Sequence, residues 1–118
     1  MKNINEEDIL RILAKSWNNL NIQNLIEVLD RNIIYQSQWV PNPIIGKSAL
    51  HKHLEVKYTA IKKDLHKGKM FVIAEMAYFP NLKDKPCLII TQKTGRITRQ
   101  VSVLISIENG LIKRINVC

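Results

Sequence analysis

The feature that most narrows the folds open to this chain is a change of hydrophobic period near Gly68 and Lys69. Before it, apolar residues recur every three or four positions, the spacing of one helix face; after it, they alternate or form short runs, the spacing of strands. Ile9, Ile12, Leu13, Trp17 and Leu20 predict a helix over residues 6–20, with Asn5 as N-cap and Asp8 at the third helical position. Ile22, Leu25, Ile26 and Leu29 predict a second helix, ended by Asp30-Arg31-Asn32. Helices joined by so few residues pack as neighbours. Residues 33–39, rich in β-formers, predict a strand that Pro41 and Pro43 stop. Gly46 and Ser48 open a long helix over 47–66, closed by Gly68. Its apolar arc is broad: Leu50, Leu54, Tyr58, Ile61 and Leu65 form one stripe, and Ala49, His53, Val56 and Ala60 a second beside it.

The remainder predicts strands over 70–79, 86–93, 97–108 and 111–117, joined by a polar connection at 80–86, a tight turn at 93–96 and an Asn109-Gly110 hairpin of type I′. In the third of these, Val101, Val103, Ile105 and Ile107 alternate with Ser102, Leu104, Ser106 and Glu108, giving one dry face and one more polar face. The order α-α-β-α-β-β-β-β implies an α+β fold, with three N-terminal helices against a curved mixed or antiparallel sheet. At 118 residues, the chain is expected to be a single domain over 1–118. Its 46% hydrophobic and 24% charged residues fit a globular domain, not a disordered or membrane-spanning one.

Cys87 and Cys118 are read as two ordinary free thiols in a reducing compartment. The acidic start, Glu6-Glu7-Asp8, does not suit a secretory signal, and no apolar run approaches the ~20 residues of a membrane span. The expected location is cytoplasmic, with no membrane partner. The net charge of +8 is uneven: residues 1–46 carry −1, residues 47–69 carry +5 and residues 70–118 carry +4. These lysines spread around the third helix with no recognition-helix cap, aromatic nucleic-acid motif or zinc spacing, so a solvated basic surface is the expectation and nucleic acid is not the expected partner. His51 and His53 lie about 200° apart on a helix and cannot close on one metal ion. No metal and no cofactor is implied.

The element order, with Trp17 and Leu20, Leu25 to Asp30 running into Ile33 to Ser37, the Ile45-Gly46-Lys47 opening with Leu50 and Leu54, and the closing Ile107 to Arg114, resembles the nuclear transport factor 2-like superfamily. This is the cystatin-like α+β cone of SnoaL-like polyketide cyclases, ketosteroid isomerases and scytalone dehydratase. The resemblance covers nearly the whole chain and implies helices closing a sheet funnel, a small apolar ligand inside it, and a homodimer through the outer sheet face. It does not carry over isomerase chemistry: Ser37 stands where those enzymes present a catalytic aspartate and Leu13 where they place a tyrosine. The His and Asp arrangement of the cyclases is also missing, because the strands contain neither residue.

The leading reading is therefore a small-molecule-binding cone, with proton transfer in an apolar pocket as its enzymatic form. His53 and Glu75 are the acid/base candidates. His53 lies on the small-residue stripe at a position that the resemblance turns toward the funnel; otherwise it is a half-buried histidine with a hydrogen-bond partner. Glu75 shares a strand face with Phe71, Ile73, Ala77 and Phe79, and a funnel-facing carboxylate there would have a raised pKa. The opposite face is equally apolar, so the strand's orientation stays open. Trp17, Tyr35, Ser37, Trp39, Tyr58 and Phe71 are the expected pocket residues. The alternative is a non-catalytic homodimeric interaction module whose cone is filled by its own side chains, Trp17, Trp39 or Tyr58 being the plug. A third, weaker reading is anion or nucleic-acid binding through the lysine-rich third helix.

Overall fold

Glu6, Glu7 and Asp8 occupy the first turn of α1 (Glu6–Asn19), where carboxylates complement the positive end of the helix dipole. The computed structural model describes residues 6–38, 40–79 and 85–118; the expected N-cap, Asn5, and the connection at 80–84 lie outside them. After α1 come a one-turn helix α2 (Gln23–Ile26), β1 (Leu29–Ser37), a two-residue β2 (Ile44–Ile45), α3 (Lys47–His66), β3 (Met70–Phe79), β4 (Lys85–Thr94), β5 (Ile97–Glu108) and β6 (Leu111–Val117). The strands form one sheet in the order β2-β1-β6-β5-β4-β3. From β3 to β6 it is an antiparallel meander. Strands β1 and β6 run parallel, which makes the sheet mixed.

Two expectations need correction. The second helix ends at Ile26, not at Leu29, because Leu29 already pairs with Ile112 in the sheet. Asp30-Arg31-Asn32 does not stop a helix but forms a bulge within β1, where the register shifts between Leu29 and Ile34. Asp30 Oδ1 accepts the Asn32 backbone N–H at 2.8 Å, and Oδ2 lies 3.2 Å from Lys113 Nζ. Those contacts, the backbone donor first, hold the Asp30 carboxyl below its usual pKa. Among the described residues the strands number six, not five, because Ile44 and Ile45 add β2 by pairing with Tyr35 and Ile34.

The helices lie against one side of the sheet, α1 over β3 to β5 and α3 against β1 to β3. Ile9, Leu10, Leu13, Leu50 and Leu54 from the helices meet Ile33, Leu88, Ile105 and Ile112 from the sheet in a buried core. Tyr78 Oη donates to Glu7 at 3.0 Å and Lys85 Nζ to Glu6 at 3.0 Å, tying the start of α1 to one end of the sheet. At the other end of α1, Asn18 Nδ2 donates to the Ala74 carbonyl at 2.9 Å and Asn18 Oδ1 accepts the Ala74 N–H at 2.7 Å. Because β3 is the edge of the sheet, the Asn18 amide takes the place of a missing strand partner.

Candidate functional site

Strand alternation decides which side chains face the helices. Val72 and Ala74 pair with Gln92 and Ile90, Gln92 with Arg99, Ile90 with Val101, and Val103 with Val117, so all of these stand on the inner face. Tyr35 and Ile115 continue that face into β1 and β6. Between this wall and the helix residues Leu13, Trp17, Leu54 and Lys57 is a cavity of about 290 Å³, bordered by Val72, Ile90, Gln92, Arg99, Val101, Val103, Ile115, Val117 and Tyr35. Arg99 is exposed and marks the open end.

The cavity's aromatic side is held by a hydrogen-bond chain. Ser16 Oγ donates to the Asn21 carbonyl at 2.7 Å, so its one proton is committed and the Tyr58 hydroxyl donates to Ser16 at 2.9 Å. Burial pushes the Tyr58 phenol pKa far up, which keeps that donor protonated. Tyr58 meets the Trp17 ring edge to face at 5.0 Å and 73°. Lys57 Nζ lies 5.6 Å from the Trp17 ring centroid. Burial lowers the Lys57 pKa below the ordinary 10.5.

On the other side of the cavity, Tyr35 is hydrogen-bonded to Ser37, and burial pushes its pKa above 10.0. The His53 ring packs on Tyr35, centroids 5.5 Å apart at 49°. His53 Nε2 is buried without a hydrogen-bond partner. Burial first, and the Lys57 charge second, hold the His53 pKa below 6.5. An imidazole in that state is neutral at pH 7 and can accept a proton.

No protein-family model and no curated protein matches this sequence. Solved structures do match its shape. A cystatin-fold protein from Novosphingobium aromaticivorans superposes with a TM-score of 0.73 at 9% identity, over 98% of this chain and 99% of its own. An NTF2-like protein of unknown function from Cytophaga hutchinsonii gives 0.67 at 18% identity, over 99% of this chain and 91% of its own. The chain has the NTF2-like cone fold. A candidate polyketide cyclase from Sinorhizobium meliloti gives 0.68 at 13% identity, over 94% of each chain. At these identities the likeness is one of architecture.

Within the NTF2-like cone the expected site residues separate. Trp17 and Tyr35 line the cavity, as does Leu13. Ser37 is buried beside Tyr35, while Tyr58 is set behind Trp17 and is not part of the wall. Glu75 and Phe71 stand on the opposite face of β3 from Val72 and Ala74 and are exposed, so Glu75 neither faces the cone nor meets His53. Trp39 lies outside the described residues. His51 Nε2 turns to Glu55 at 2.9 Å, away from His53. Among the described residues no group of three His, Cys, Asp or Glu side chains is placed to hold a metal. Among the same residues no helix is long and apolar enough to cross a membrane.

Three polar wall residues, Lys57, Gln92 and Arg99, were not expected. The signal for each was present. Lys57 lies four residues after His53 and four before Ile61, inside the apolar arc, and Arg99 continues the parity of Val101 and Val103 one step outward. Gln92 does the same after Ile90.

Proposed function

We propose that this chain binds a small, mostly apolar molecule inside the cone. The observation that carries the reading is the cavity of about 290 Å³, walled by Leu13, Trp17, Leu54, Val72, Ile90, Val101 and Val103. An engineered apolar cavity of ~150 Å³ holds benzene, so a space about twice as large suits a body of roughly two fused rings. A candidate polyketide cyclase shares the fold, which agrees with a ligand of this kind. The module with a filled cone is the weaker reading, because Trp17 borders the space and Tyr58 is turned to Ser16. Nucleic-acid binding along the third helix has less support still, since Glu55 and Asp64 interrupt its lysines.

In an enzymatic form of this function, His53 is the proton acceptor: its pKa is held low and its buried Nε2 has no partner, although it does not itself border the cavity and packs on Tyr35, which does. Glu75 takes no part. The homodimer belongs to the outer sheet face, where Phe71 and Ile73 are exposed. The binding test is uptake of an apolar fluorescent dye, with Val101→Trp placed to fill the cavity from its half-buried wall. Saturable uptake that this substitution abolishes, at an unchanged melting temperature, supports the reading. Uptake that the substitution leaves intact overturns it.

A further inference from the structure

We infer that the cone selects small apolar carboxylates, and that Lys57 and Arg99 hold the carboxylate group. This rests on the small-molecule reading above and narrows it. The starting point is charge balance around the cavity: Lys57 and Arg99 border it, and none of its lining residues is an aspartate or glutamate. Three cations elsewhere among the described residues have acidic partners, Arg11 with Glu7 and Asp8, Lys85 with Glu6 and Lys113 with Asp30; what sets Lys57 and Arg99 apart from the surface lysines is that they border the cavity. Among the described residues, neither Lys57 nor Arg99 has a carboxylate within 4.0 Å. Glu75, which could have supplied one, faces away from the cone.

A half-buried cation without a counter-ion is costly, because burial removes water and nothing replaces it. Lys57 is in that position beside the Trp17 ring, and its lowered pKa registers the same deficit. A ligand anion supplies the missing charge. Arg99 adds a planar fork of N–H donors at the open end, opposite the Gln92 amide in the strand register, a geometry suited to the two oxygens of a carboxylate. Ile90, Val101 and Val103 offer the apolar body a dry wall. Two cations and an amide on an otherwise apolar surface thus describe an amphiphile with one negative end.

The test uses matched pairs of equal shape and different charge, 2-naphthoate with 2-naphthalenemethanol and decanoate with decanol, titrated calorimetrically into the 118-residue chain at neutral pH and moderate salt. Each acid is expected to bind at least ~10-fold more tightly than its alcohol. Lys57→Met and Arg99→Gln should each weaken the acid more than the alcohol and bring the pair to near equality. Arg99 is exposed, so its substitution keeps the test valid should Lys57→Met impair folding. Equal binding of acid and alcohol to the parent protein overturns the carboxylate inference and leaves the small-molecule reading standing. So does an acid preference that survives both substitutions, which would trace it to the general positive charge. Absence of binding by every member overturns both readings.

Discussion

At the scale of single residues, the most consequential polar side chain outside the cavity is Asn18. Its amide satisfies both backbone groups of Ala74 on the sheet's edge, which no strand neighbour could reach. Asn18→Ala is predicted to cost about 1–2 kcal/mol, two hydrogen bonds at ordinary net value, read as a lower urea midpoint at unchanged slope. An unmoved midpoint would show that water serves the edge equally well. His53 makes a second residue-scale prediction. Its folded pKa lies below its unfolded value near 6.5, so the unfolded chain takes up the proton first and stability falls as pH drops below that value, until His53 is protonated in the folded state too. His53→Gln should flatten the stability profile in that window, as measured by denaturant titrations between neutral and mildly acidic pH. His53 is half-buried, but the stripe read with it is not: Ala49, Val56 and Ala60 are exposed, and the buried arc of α3 is the narrower one of Leu50, Leu54, Tyr58 and Ile61. The contact of His53 with Tyr35 was not legible from helical spacing, because that depends on where β1 crosses α3.

At the scale of elements, the long helix and the final hairpin were the most legible parts. The predicted span 47–66 is that of α3, since Gly46 and Gly68 mark ends that side-chain chemistry imposes locally. Gly46 has φ +100° and ψ 145°, a conformation that a Cβ makes costly, and its N–H donates to the Ile33 carbonyl at 2.8 Å. A Cβ built there meets nothing within 4 Å, so the penalty of Gly46→Ala is backbone strain alone. We expect a loss of about 1–3 kcal/mol, seen as a lower melting temperature with the fold retained by circular dichroism. Asn109 and Gly110 both have positive φ, 56° and 77°, the signature of the type I′ turn read from Asn-Gly. Where the reading failed, at Leu29 to Asn32, two local tendencies competed. Leu29 fits the helical stripe, and Asp30-Arg31-Asn32 resembles a stop, yet pairing with the distant Ile112 draws the segment into the sheet. A pairing across the whole chain has no signature in a short window.

At the scale of the whole molecule, the sheet has two faces with different fates. The inner one meets the helices and bounds the cavity, while the outer one leaves Phe71 59% and Ile73 49% exposed. If that outer face forms the homodimer proposed above, Phe71→Glu with Ile73→Lys should convert the protein to a monomer in light scattering, without abolishing dye uptake in the cone. A parent protein that is already monomeric would remove the proposal. The amino-acid sequence by itself determined the α+β class, the order of most elements and the turn chemistry, because periodicity, proline, glycine and Asn-Gly act over a few neighbouring residues. Tertiary structure decided the orientation of β3, whose two sides are both apolar: pairing with β4 turns Val72 and Ala74 inward, and the Asn18 clamp fixes the strand's free edge. That choice carried Glu75 outward. It also set the cavity's polarity, since Lys57 and Arg99 come from a helix and a strand far apart in the chain and border the same space through packing alone.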